Sequence, residues 1–466
     1  MAVEGRTHKP VVDVERCSFC AVCMEACPAE IMPEMRREID TMRGKIYSDE
    51  DIEVHLKEDD IIQLPKCQNA CPISQDVRGY IRLIAKKQYK EALELIRDAN
   101  PLPSICGYVC HHPCESACVR GNLDEALSIR SLKRVAADLA SLSLVPIKPV
   151  ASINKKVTII GSGPAGLAAA YELGKTGYKV EVIESYKRPG GLLAWGIPEF
   201  RLPREILQRD IDLIMQTGVE IRTGIEFGKD ITLADLEKSG TEAVIIATGT
   251  QKGLKLELEN ENNYDGYREC LEFLRGISDG MKIEPGRQVI VVGGGNAAMD
   301  SARSALKQGA AKVTLIYRRG PLEMPADREE VKAALDEGVD IQFYTMPLKF
   351  ISKDNRITGL HCAKTELKDQ DGQDRPRPFQ IEGSEFSIPA DMVISAVGQK
   401  ADHVILSNGL GLNGEKLMAN ADTLTTNLPK IFVAGDFAHG SSTVVEAMAH
   451  GKKAAKKVHE YLSGLK

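Results

Sequence analysis

The 466-residue chain carries 66 acidic and 60 basic residues, a formal charge of −6, with 43% hydrophobic and 27% charged residues. That balance describes an ordinary soluble globular protein of two to four domains, and it excludes a disordered chain. Without a basic excess it also argues against a nucleic-acid footprint.

The N-terminus lacks the apolar run of a signal peptide, so a cytoplasmic protein is expected. Ten of the 12 cysteines precede residue 119, and close spacings in such a chain point to metal binding before disulfides. Residues 1–60 hold the first set, Cys17-x2-Cys20-x2-Cys23-x3-Cys27-Pro28. This is the bacterial ferredoxin run, whose loop brings three thiolates to one [4Fe–4S] centre. The fourth cysteine, before proline, serves another cluster in two-cluster ferredoxins, which leaves Cys27 open. Zinc is the alternative metal and suits these spacings poorly.

Residues 61–145 form a second, helical segment with Cys67, Cys71, Cys106, Cys110, Cys114 and Cys118. Their three- and four-residue steps put thiols on one side of a turn, which favours a cluster over disulfides. Ten thiolates fully ligate two [4Fe–4S] cubanes, and not three. From Val77 to Ile96 apolar residues recur at helical steps, predicting an amphipathic helix or helix pair stopped by Asn100-Pro101. Ser141–Lys155 reads as a linker.

After Lys156, short β-branched strands alternate with helices, the texture of doubly wound α/β units. Val157–Leu173 is apolar enough to suggest a membrane span, but Gly161, Gly163, Pro164 and Gly166 interrupt it, and no span is expected. Its pattern is instead strand, GxGxxG, helix, then a strand ending in Glu184. Gly161 makes the tight turn, Gly163 lets backbone approach a pyrophosphate, and Gly166 permits close helix packing. Glu184 is placed to bind both hydroxyls of an adenosine ribose. A second copy runs Val289 to Arg319 with Gly293, Gly295 and Ala298. Where the first copy has an acid, this one has Arg318-Arg319, able to grip a 2′-phosphate that a carboxylate would repel. The first site suits FAD and the second NADP(H). If the arginines are only a solvated pair, NAD(H) remains possible.

Further strand-end turns fall at Gly249, at Ala396-Val397-Gly398 and at Gly435-Asp436, whose carboxylate can accept a ribityl hydroxyl. Ser442, Thr443 and Val444 open a last helix expected to face the flavin. His439 and Glu446 lie near that end with structural roles expected, and no acid–base residue is assigned. Cys270 and Cys362 are isolated, more in keeping with buried apolar residues than with chemistry. No cysteine pair follows Cys118, so electrons reaching a flavin here need an exit other than a redox disulfide. The clusters are the candidate.

Asn100-Pro-Leu-Pro, Cys106-Gly-x-x-Cys-His-His-Pro-Cys-Glu, Ile129-Arg-x-Leu-Lys-Arg134, Gly190-Gly-Leu-Leu with Phe200-Arg-Leu-Pro203, and Tyr317-Arg-Arg with Met324-Pro-Ala carry a specific likeness. Over residues 61–466 the chain resembles the small subunit of NADPH-dependent glutamate synthase. That family also takes in the large subunit of ferredoxin:NADP transhydrogenase and a segment of dihydropyrimidine dehydrogenase. The resemblance implies an α/β flavoprotein of two nested Rossmann-like domains behind a helical iron–sulfur domain. It implies FAD at Gly161, Gly163, Pro164, Ala165, Gly166, Glu184, Gly191, Leu192, Arg201 and Gly435-Asp436 through Val444. It implies nucleotide at Gly294, Gly295, Asn296, Ala297, Arg318, Arg319 and Ala396–Gly398.

Two departures from the family stand out. Its usual Cys-x-x-Cys upstream of Cys67 falls near Asp59 and Ile62, and its non-cysteine ligand position matches Lys133, a poor ligand when protonated. The cysteines therefore carry over singly but not in groups. The Cys17–Cys27 run either supplies the missing thiolates or forms its own cluster. The expected division is 1–60, 61–145, an FAD domain in two parts (146–280 and 396–466), and an NAD(P)H domain at 281–395. The expected function is an NAD(P)H-dependent FAD and iron–sulfur oxidoreductase subunit, hetero-oligomeric with a larger redox enzyme or ferredoxin. Alternatives are the glutamate synthase small subunit itself and a non-catalytic iron–sulfur scaffold.

Overall fold

Runs of Val and Ile that are apolar on both faces favour parallel sheets covered by helices, and this chain builds two of them. The computed structural model describes residues 64–140, 151–369, 376–401, 412–413, 416–417 and 419–464. The Cys17–Cys27 run lies outside them. The N-terminal helices are α1 (Lys66–Asn69), α2 (Val77–Ala85), α3 (Tyr89–Ala99), α4 (Pro103–Val109), α5 (Pro113–Ser116) and α6 (Ile129–Ala140). The periodic stretch from Val77 is a helix pair, because Lys87 takes a left-handed φ of +61° and reverses the chain. Asp76 caps α2 by accepting the Gly79 N–H at 2.9 Å. Val77, Tyr80, Ala92, Ile96, Ile129 and Ala136 share a core with Cys114, and the Tyr80 hydroxyl donates to the Ile129 carbonyl at 3.1 Å.

The strands are β1 (Ile153–Ile160), β2 (Tyr178–Glu184), β3 (Glu220–Thr223), β4 (Thr241–Ile246), β5 (Tyr267–Glu269), β6 (Gln288–Val292), β7 (Lys312–Tyr317), β8 (Asp340–Phe343), β9 (Met392–Ser395) and β10 (Ile431–Val433). One parallel sheet has the order β10-β4-β1-β2-β3 and the other β5-β9-β6-β7-β8. Since β10 returns to β4, the chain leaves the first sheet, completes the second, and comes back. Strands Thr345–Lys353, Arg356–Lys368, Arg377–Gln380 and Phe386–Pro389 form an antiparallel sheet on the way to β9. β1 begins at Ile153, so the end of the stretch read as linker is strand, paired with the Tyr178 strand.

Helices α7 (Pro164–Thr176), α8 (Arg204–Met215), α9 (Asn296–Lys307), α10 (Arg328–Asp336) and α11 (Val444–Ser463) cover these sheets. Burial of Val157, Ile159, Val182 and Ile245, all essentially inaccessible, supplies about 1.5–3 kcal/mol per side chain. α11 crosses α7 so closely that a Cβ on Gly451 would stand 2.1 Å from the Ala165 carbonyl oxygen. Among the described residues no helix is long and apolar enough to cross a membrane.

Candidate dinucleotide and iron–sulfur sites

The first glycine loop joins β1 to α7. Gly161 has φ +102°, and a Cβ there would meet the Ala247 carbonyl at 2.5 Å, so only glycine serves. A Cβ on Gly166 would come 1.9 Å from the Gly161 carbonyl, whereas one on Gly163 meets nothing within 4 Å. The space before Gly163 is open, and α7 has no side-chain cap on its N-terminal N–H groups. Open space before uncapped N–H groups is the arrangement that takes a pyrophosphate. Glu184, buried at the end of β2, accepts the Ser162 N–H at 2.9 Å, the Ser162 hydroxyl at 2.6 Å and the Tyr186 N–H at 2.8 Å. Its carboxylate is thereby held beside the loop, and the Ser162 hydroxyl also accepts the Gly190 N–H at 2.9 Å.

Gly191 packs on this loop at φ +55°, where a Cβ would lie 2.9 Å from the Gly163 Cα, and Leu192 starts the next short helix. Gly435 faces Ala165, and Asp436 accepts both the N–H and the hydroxyl of Ser442, at 3.1 and 2.5 Å. Burial raises the Asp436 carboxyl above its ordinary value. Thr443 and Glu446 close a capping box before Val444 at the start of α11. His439 lies against His450 with ring centroids 4.0 Å apart, and burial lowers both imidazoles below their usual range.

The second loop repeats the design between β6 and α9. A Cβ on Gly293 would stand 2.2 Å from the Ala396 carbonyl oxygen and one on Gly294 2.5 Å from the Tyr317 ring, while Gly295 faces open space at another uncapped helix. The Gly294 carbonyl accepts the Ala326 N–H at 3.1 Å, and Asn296 Oδ1 accepts the Asp327 N–H at 2.9 Å, so Met324-Pro-Ala folds onto the loop next to Ala297. The two arginines after β7 differ. Arg318 is exposed, whereas Arg319 is half-buried and its Nε donates to the Pro376 carbonyl at 3.1 Å. Val397 is exposed in its turn, Gly398 has φ +137° and accepts the Leu254 N–H at 2.8 Å, and Gly249 takes φ +68° in open space.

Arg201 reaches two carboxylates of the second unit. Its guanidinium holds Asp300 at 2.7 Å and Glu330 at 2.9 Å, all largely buried. Burial pushes the Asp300 carboxyl up to about 6 against the pull of Arg201. A second long-range tie had no local sequence signal: Asp210 of α8 accepts the Ile105 and Ser104 N–H groups that open α4, at 2.8 and 3.3 Å. Ser162 was equally unassigned, although its place between two loop glycines was visible.

The described cysteines are all free thiols. Cys71, Cys106, Cys110 and Cys114 are buried near one another, while Cys67 and Cys118, on α1 and after α5, are half-buried and interact with each other. The hydrogen bond from Cys106, and then the Lys133 ammonium, pull the Cys110 thiol down, while the same bond and burial push Cys106 up. The Cys110 sulfur also accepts the His112 N–H at 3.4 Å. Burial instead pushes Cys114 up to about 12. Lys133 is buried among Cys71, Cys106, Cys110 and Cys114. The four thiols match a [4Fe–4S] centre in number and type; Lys133 does not fit as a ligand beside them, since a protonated amine has no lone pair. Cys270 and Cys362 are both buried.

Two glycine-loop nucleotide sites on parallel sheets, joined to a thiol-rich helical domain, define a nucleotide-dependent oxidoreductase of the flavin and iron–sulfur type. The chain belongs to the pyridine nucleotide-disulphide oxidoreductase family, whose model matches residues 155–451, and a model for dihydropyrimidine dehydrogenase domain II, 4Fe-4S cluster, matches residues 62–143. It is 40% identical over 423 residues to the NADP(+)-dependent formate dehydrogenase subunit beta of Moorella thermoacetica, covering 85% of this chain and 60% of that one. The chain thus spans less than two thirds of that relative's length. To the glutamate synthase [NADPH] small chain of Escherichia coli it is 34% identical over 420 residues, 85% of this chain and 89% of that one. The fold is similar to Mycobacterium tuberculosis FprA in complex with NADPH, at TM-score 0.60 and 17% identity, covering 67% of this chain and 85% of that one.

Proposed function

We propose that this chain is the NADP(H)-binding, electron-transferring subunit of a larger redox enzyme, exchanging hydride with NADP(H) and single electrons with a partner protein. One observation carries the reading: two uncapped helix N-termini above open glycine loops, one flanked by Glu184 and the other by Arg318, in a chain that concentrates free buried thiols at its other end.

Gly161, Gly163, Pro164, Ala165, Gly166 and Glu184 hold the adenosine and pyrophosphate of FAD, with Gly191, Leu192 and Gly249 lining the loop. Gly435, Asp436, Ser442, Thr443 and Val444 hold the remainder. Gly293, Gly294, Gly295, Asn296 and Ala297 cradle the pyrophosphate of NADP(H), Arg318 meets its 2′-phosphate, and Arg319 braces that strand end. Ala396–Gly398 closes the nucleotide side. FAD, when bound, supplies the conversion between a two-electron hydride and single electrons. Cys71, Cys106, Cys110 and Cys114 hold one [4Fe–4S] centre; Cys67 and Cys118 offer two thiolates to a second, and the Cys17–Cys27 run, outside the described residues, either supplies the missing thiolates or holds a cluster of its own. Arg201 acts on domain geometry through Asp300 more than on the flavin.

We divide the chain into 1–60, 61–145, 146–280 with 396–466, and 281–395, and place it in the cytoplasm, whose reducing conditions suit free thiols and clusters. The match over most of the glutamate synthase small chain favours that small subunit as the second reading. The test is anaerobic addition of NADPH to the purified holoprotein. Flavin absorbance should bleach at once, and a partner that co-purifies should then be reduced. A holoprotein without flavin, or one that NADPH leaves unbleached, would refute the reading.

A further inference from the structure

We infer that Lys133 is a buried counter-charge to the [4Fe–4S] centre of Cys71, Cys106, Cys110 and Cys114, and that it raises the reduction potential of that centre without ligating it. The inference rests on the cysteine grouping proposed above.

Lysine is almost never buried without an anion beside it. Lys133 is 5% exposed, and the groups acting most strongly on its ammonium are four thiols: Cys106, Cys110, Cys71 and Cys114. The placement is rigid. Lys133 lies on α6, which meets α4 so tightly that a Cβ on Gly107 would stand 2.9 Å from the Arg134 Cα. The neighbouring residue of α6, Arg130, donates to the Cys110 carbonyl at 3.0 Å and fixes the cysteine turn to the same helix. Four neutral thiols give an ammonium no compensating charge, whereas four thiolates on a cubane carry a net negative charge that grows by one when an electron is accepted. A cation in the same low-dielectric shell attracts the reduced form more than the oxidised one, so reduction becomes easier. The His112 N–H on the Cys110 sulfur acts in the same direction.

The test compares Lys133→Met, Lys133→Arg and Cys110→Ala in the holoprotein, by iron and acid-labile sulfide content and by anaerobic redox titration followed by electron paramagnetic resonance. Cys110→Ala should lose one cluster's iron and thereby identify its signal. For that signal, Lys133→Met should show a more negative midpoint than wild type at equal iron content, and Lys133→Arg a midpoint near wild type. Loss of the cluster in Lys133→Met with its retention in Lys133→Arg would equally show that the charge is required. An unchanged midpoint in Lys133→Met, or loss of the cluster from both lysine variants, would overturn the inference while leaving the cysteine grouping intact. Full iron content in Cys110→Ala would refute the grouping itself.

Discussion

The Asp210 carboxylate accepts the Ile105 N–H at 2.8 Å across a sequence separation of 105 residues, so a helix of the flavin unit caps the helix that carries Cys106. A buried carboxylate on two N-terminal N–H groups both satisfies orphan donors and opposes the helix dipole. Asp210 therefore adds a polar anchor where Leu102, Ile105 and Cys106 already pack into the core of the first unit.

That contact has a pH signature. Burial pushes the Asp210 carboxyl up to about 7, whereas an unfolded aspartate releases its proton near pH 3.9. The folded chain then binds the extra proton between those values, so this contribution is fully present below about pH 4 and is lost as pH rises through about 7. Asp210→Asn should flatten the difference in melting temperature between about pH 5 and about pH 8. A variant with the wild-type pH dependence would show that this carboxyl does not titrate there.

The glycines should separate folding from binding. Gly161→Ala forces a Cβ to 2.5 Å from the Ala247 carbonyl at a φ of +102°, and is expected to cost stability as well as flavin. Gly163→Ala meets nothing within 4 Å and should fold normally yet bind FAD at least about tenfold more weakly, because the methyl intrudes where the pyrophosphate lies. Equal melting temperatures with unequal flavin content in Gly163→Ala and wild type would be the expected result.

Coenzyme preference should reside in Arg318. Losing a charge-assisted contact worth about 1.5–3 kcal/mol, Arg318→Ala should raise the KM for NADPH about 10- to 100-fold and leave NADH nearly unaffected. Arg319→Ala, which removes the contact to the Pro376 carbonyl, should affect both coenzymes alike. Steady-state kinetics with both nucleotides decides it.

Arg201→Met would leave Asp300 buried without its paired cation, while Glu330 keeps Arg303 at 2.7 Å, a loss of about 3–5 kcal/mol. Lower melting temperature with flavin retained is expected from a domain tie. Flavin lost at an unchanged melting temperature would instead make Arg201 a direct cofactor ligand.

Legibility followed distance along the chain. The strand–glycine–helix–strand units could be read because every part of one, from β1 to Glu184, lies within a single stretch where periodicity and glycine placement report backbone geometry. The same held for Lys133, marked as a misfit by its neighbours in the Ile129–Arg134 motif. Arg201 was read as a flavin contact from its motif, yet its guanidinium lies on Asp300, 99 residues on. No local pattern encodes such a pairing, since charge alone does not say which of many carboxylates becomes buried beside it.

The cysteines close on the same division. Sequence alone determined that the thiols are cluster-type, that no redox pair follows Cys118, and that one dinucleotide loop ends in an acid and the other in arginines, because these are properties of residue type and spacing. Only the tertiary structure separated the four buried thiols around Lys133 from the half-buried Cys67 and Cys118, and only it tied α4 to Asp210. Burial and the meeting of distant side chains are set by how helices and sheets pack, and packing is a property of the whole chain.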